Sequence, residues 1–151
     1  MAITLLNLSD EQLWSANYVV LPAWLLLVLF PRQRFTHQVA TATAGLMALL
    51  YVLIFLGFTR DGRPNISMSD MGTLEGVHKL LSDKRNVLVA WVHYLSFDIL
   101  VGKWIVDNNK SYGLSQFLIA PCLVLCLLLG PSGLLLYLLL RTVLSSKPKV
   151  K

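Results

Sequence analysis

The chain has 151 residues, of which 56% are hydrophobic and only 14% charged, with a formal net charge of +5. Soluble domains carry about a quarter charged residues, so the polar groups here are too few to coat a water-soluble domain, and the same numbers exclude a disordered, collagen-like or disulfide-built chain. The question becomes which segments lie in lipid, where about 20 apolar residues make one crossing.

The first eleven residues lack a basic n-region and a small-residue cleavage site, so the chain is expected to enter its first helix directly, capped by Ser9 or Asp10. No Asp, Glu, Lys or Arg occurs over 12–31, 35–59 or 111–140. A fourth apolar stretch, 87–106, has spanning length but carries His93, Asp98 and Lys103. These runs predict an all-α membrane protein: a four-transmembrane-helix bundle, one domain over 1–151, with spans at 12–30, 37–58, 87–106 and 116–140.

Along the second span Ala40, Thr41, Ala44, Gly45 and Ala48 form a small-residue seam that allows close helix packing. In the 59–86 loop, Leu74, Val77, Leu80 and Leu81 recur at helical spacing, which predicts a short amphipathic helix on the membrane interface between helices 2 and 3. The last span is Leu-rich and interrupted by Gly130, Pro131, Ser132 and Gly133, where a kink is expected. Cys122 and Cys126 are four apart, so they share one helix face and serve as small apolar side chains; neither metal nor cofactor is expected.

With four crossings, the N-terminus, the 59–86 loop and the basic tail 141–151 share one side. That side holds Arg60, Arg63, Lys79, Lys84, Arg85, Arg141, Lys147, Lys149 and Lys151; the other holds Arg32, Arg34, Lys103 and Lys110. The basic excess puts both termini on the cytoplasmic face and assigns the net charge to topology and lipid headgroups, not nucleic acid.

Asp98 lies near the centre of its span, where a carboxylate costs at least ~2.5 kcal/mol and is therefore paired, protonated or functional. Trp91, Tyr94, Asp98, Gly102 and Ile105 share one helical stripe, whereas His93 lies well round the helix from Asp98. Alternating helix directions bring Asn17 and Tyr51 to the depth of His93. A pocket centred on His93 and Asp98, edged by Asn17, Tyr51, Tyr94 and Trp91, is expected in the cytoplasmic half.

The run from Trp91 through His93 and Asp98 to Trp104 and Asp107 resembles the W-[IV]-H-x-L-x-x-D-L core of the abscisic-acid-deficient-four-like, or neoxanthin synthase-like, family. Val20, Leu21, Pro22 and Pro31, the stretch Gly72, Thr73, Leu74, Glu75, Gly76 and Val77, and the Gly130 to Gly133 break add to the resemblance, which covers nearly the whole chain. It implies a multi-pass protein of plastid or cyanobacterial membranes, in a thylakoid or plasma membrane, acting on carotenoids such as violaxanthin on the way to neoxanthin. Opening an epoxide to an allenic alcohol is an isomerisation that needs an acid at oxygen and a base at carbon, and no redox cofactor. Under this resemblance His93 and Asp98 supply the acid and base, in either assignment, with Tyr94 orienting Asp98. Trp91, Trp104, Asn17 and Tyr51 would contact a long apolar substrate. The alternative is a non-catalytic protein that binds a carotenoid or joins a pigment-protein complex or a homo-oligomer in the lipid.

Overall fold

The structure, a computed structural model, describes residues 8–60 and 70–144. Residues 61–69 of the expected loop and the tail beyond 144 lie outside the described residues. Every element described is a helix.

The first apolar run opens at α1 (Asp10–Ser15), passes a 3-10 turn over Ala16–Val19 and continues as α2 (Val20–Leu29). Its start is set by a capping box: the Ser9 hydroxyl accepts from Gln12 N at 3.2 Å, while Ser9 N donates to the Gln12 side chain at 2.8 Å. The second run is α3 (Arg34–Arg60), the loop carries α4 (Leu74–Leu81), and the third run is α5 (Lys84–Tyr112). Asp10–Leu29, Arg34–Gly57 and Lys84–Tyr112 are long and apolar enough to cross a membrane. Two shorter helices follow, α6 (Gln116–Leu129) and α7 (Pro131–Leu144).

Contacts gather the chain into two units. In the first, formed by Met1–Tyr18 and Met47–His93, α1 is tied to α5 by an ion pair between Asp10 and the Arg85 guanidinium at 3.2 Å, and the Trp14 and Trp91 rings meet at 5.8 Å. α4 is capped by Thr73, whose hydroxyl accepts from Gly76 N. The expected short helix is present; it buries none of its residues, and Leu74 and Leu81 are exposed.

The second unit, Val19–Leu46 with Tyr94–Lys151, contains the main departure from expectation. The small-residue seam of α3 is present but rotated: Thr36, Ala40, Thr43 and Ala44 are buried, Thr41 and Gly45 are exposed, and the Ser96 hydroxyl of α5 donates to the Ala44 carbonyl at 3.2 Å. The single crossing expected over 116–140 is instead two helices that fold back on each other. A β-carbon at Gly133 of α7 would collide with the backbone of Cys122 and Cys126 of α6, a proximity that a merely kinked helix cannot give. Gly130 makes the reversal with φ +45°, and Pro131, lacking an N–H, starts the returning helix.

The neighbours of the hairpin fix its direction. At the outer end of α6 the Gln116 amide donates to the carbonyls of Val28 and Leu29 at 2.9 and 3.0 Å. α7 runs back beside the second half of α5, where the Tyr137 hydroxyl and Arg141 guanidinium both donate to Asn108 Oδ1 at 2.8 Å and Arg141 covers the Tyr112 ring at 4.8 Å. The hairpin therefore starts and finishes at the C-terminal end of α5, with its tip beside Asp98, midway along that helix. Each arm has 14 residues, about 21 Å of helix, which is shorter than the ~30 Å hydrocarbon core.

Candidate functional site

Asp98 is half-buried, and its carboxylate faces the hairpin tip: a β-carbon on Gly130 would stand 3.0 Å from Oδ1. Its backbone carbonyl accepts from the Cys126 thiol at 3.7 Å. One turn further along the same stripe, Gly102 leaves room for the buried Trp24 ring, which comes within 2.6 Å of the place a β-carbon would occupy. The Trp24 Nε1 hydrogen is buried there with no hydrogen-bond partner among the described residues.

A groove of about 440 Å³ runs between α5 and α7, lined by Phe97, Leu100, Val101, Trp104, Leu134 and Leu138. It has almost no polar lining, and Leu134 is one helical turn from the Gly130 tip. Trp104, expected at a ligand surface, stands in this wall with its ring edge-on to Tyr137 at 6.0 Å and 90°. Tyr94 and Phe97 lie on the surface of α5, 58% and 57% exposed.

The remaining expected residues lie in the first unit. The His93 ring is exposed and meets Tyr51 at 5.7 Å, and Tyr51 stacks on Phe55 at 6.3 Å. Trp91, 46% exposed, pairs with Trp14. Asn17 is 7% exposed, within the 3-10 turn, and neither Oδ1 nor Nδ2 has a partner among the described residues. Such a group carries a penalty of about 1–3 kcal/mol until something polar meets it.

A polar cluster at the outer end of α5 escaped the sequence reading. His37 Nδ1 of α3 lies 3.3 Å from Asp107 Oδ1, and Asp107 also receives Lys103 at 2.8 Å and Lys110 at 2.6 Å. The lysines stand four before and three after Asp107, a helical pairing legible from spacing alone. His37 lies far from it in sequence and carried no such signal.

Three apolar helices of spanning length, with a carboxylate set midway along one of them, define the class: an α-helical membrane protein. Residues 13–137 match the ABA DEFICIENT 4-like family, and the chain belongs to it. It is similar to Protein ABA DEFICIENT 4, chloroplastic, of Arabidopsis thaliana, with 22% identity over 135 residues that cover 86% of this chain and 60% of that relative. The chain thus spans less than two thirds of the length of the curated relative it matches. No solved structure matches it.

Proposed function

We propose that this protein binds a carotenoid in the plane of the bilayer and isomerises it by opening an epoxide. The observation that carries the reading is an apolar groove bounded by Trp104 and Phe97 beside a half-buried acid, Asp98, at the hairpin tip. The groove suits a polyene, and the carboxyl suits the oxygenated ring at its end. In the reaction a proton passes to the epoxide oxygen as the carbon–oxygen bond breaks, and a proton leaves the neighbouring carbon as the allene forms. One carboxyl can give the first and, as carboxylate, take the second, so nothing is oxidised or reduced. Asp98 is assigned that role, with Tyr94 one turn away to orient it. His93, Tyr51, Asn17 and Trp91 belong to the first unit and are assigned no part in this groove.

The test is the pigment and the product. Purified protein should carry carotenoid absorbance and convert an epoxy-xanthophyll, and Asp98→Asn should keep the pigment and lose conversion. A wild-type protein that holds pigment yet forms no product supports the second reading, a non-catalytic carotenoid-binding protein of a photosynthetic complex. A colourless, inactive protein overturns both.

We further propose three crossings plus a re-entrant α6–α7 hairpin, in a photosynthetic membrane such as the thylakoid. The short arms and the return of α7 to the outer end of α5 support it. The chain ends then fall on opposite faces. Arg32, Arg34, Lys103, Lys110, Arg141 and the three tail lysines share one side, against Arg60, Arg63, Lys79, Lys84 and Arg85 on the other. The basic excess now puts the hairpin ends and the C-terminus on the cytoplasmic face, or its stromal equivalent, and the N-terminus opposite.

A further inference from the structure

At the outer end of the second unit a cavity of about 370 Å³ lies between the α2–α3 turn and the α5–α6 turn, lined by Pro31, Arg32, Asn109, Lys110, Leu114 and Gln116 among others. Its polar walls are held in place by the chain itself. Asn109 donates to the Leu114 carbonyl at 2.9 Å and accepts from Leu114 N at 3.0 Å, while Gln116 is spent on the α2 carbonyls. What these bonds leave for a visitor is charge. Arg32 is exposed and makes no ion pair among the described residues, and Lys110 reaches the cavity from its pairing with Asp107. Arg34 and Lys103 stand at the same end of the helices, and among the described residues there Asp107 is the sole carboxylate.

We infer that this cavity binds the phosphate of an anionic phospholipid headgroup. A guanidinium fork and an ammonium are the side chains that best recognise a phosphate. The cavity lies at the ends of three apolar spans, Asp10–Leu29, Arg34–Gly57 and Lys84–Tyr112, which is headgroup depth. Beside it Phe30, Phe35 and Phe117 are 50%, 47% and 92% exposed, a set of rings that suits the lipid interface and would lie along acyl chains. These apolar neighbours select a lipid phosphate over a free one, which shares the charge but would leave the rings in water. The site does not depend on the carotenoid reading.

The test is native mass spectrometry of the detergent-purified full chain with phosphatidylglycerol or phosphatidylcholine added, for wild type and two variants. Wild type should retain phosphatidylglycerol at least about fivefold over phosphatidylcholine, as expected for one cation near an anionic headgroup. Arg32→Gln removes the charge that lines the cavity and should abolish that preference. Arg34→Gln removes a charge from the same end without touching the lining and should leave it within about twofold. Both arginines are exposed, and an unchanged thermal transition shows that the variants fold. Equal losses in the two variants, or none in Arg32→Gln, overturn the site. Displacement of the lipid by millimolar inorganic phosphate overturns the lipid assignment in favour of a soluble anion.

Discussion

The carboxylate of Asp98 lies so near the backbone of Gly130 that a β-carbon there would stand 3.0 Å from Oδ1, while Gly130 itself holds φ +45°. Gly130→Ala therefore incurs two penalties, about 1–3 kcal/mol for an L-residue held in a sparsely populated backbone region and the displacement of the acid. A lower midpoint of thermal unfolding in detergent is expected, together with a loss of epoxide conversion larger than the loss of bound pigment. A midpoint equal to wild type would remove the close approach from consideration.

Two other glycines give opposite outcomes. Gly133 presses on the backbone of Cys122 and Cys126, where no flexible side chain can yield, so Gly133→Val should destabilise by about 3 kcal/mol. Gly45, in the interior of α3, has nothing within 4 Å, so Gly45→Ala should be neutral or stabilise by up to about 1 kcal/mol. Thermal melts of both variants in one detergent separate the cases, and equal effects would contradict the hairpin packing.

Asn108 Oδ1 accepts from both Tyr137 and Arg141. Tyr137→Phe leaves the second donor in place and should cost about 1 kcal/mol or less, whereas Asn108→Leu strands two buried-side donors and should cost more than either single loss. Unfolding of the two variants and the double mutant measures the coupling. Strict additivity would show that the Tyr137 hydroxyl gains nothing from Asn108.

Tags placed before residue 8 and after residue 144 should be cleaved by protease from opposite sides of sealed vesicles. A four-crossing protein would expose both on one side. This outcome separates the re-entrant hairpin from a single fourth crossing.

Two of the three spanning helices, Asp10–Leu29 and Arg34–Gly57, were legible as gaps in the charge map, and Lys84–Tyr112 was legible by its apolar length despite Asp98 and Lys103. The hairpin was not. A Leu-rich run has the same hydropathy whether it continues or turns back, and Gly130-Pro131 marks a break without giving its angle. The residue that distinguishes the two is Gly133, whose missing side chain matters only once α6 is known to lie against it. Asp98 was legible as an expensive group in a span, but its neighbours were not, because Gly130 lies 32 positions away and helical periodicity relates only residues on one helix. The same limit hid the approach of His37 to Asp107, while the lysine partners of Asp107 were local and visible.

Cys122 and Cys126 are the two cysteines of the chain, and both are fully buried, on the face of α6 that receives α7. In the folded state the native thiols are thus shielded from maleimide and spin-label reagents. A cysteine introduced at any exposed position can be derivatised selectively without first removing them. Conversely, the appearance of reactive native thiol reports that α6 has parted from the helices that cover it, α7 against its backbone and α5 at the Cys126 thiol, which gives this packing a built-in chemical sensor of its own opening.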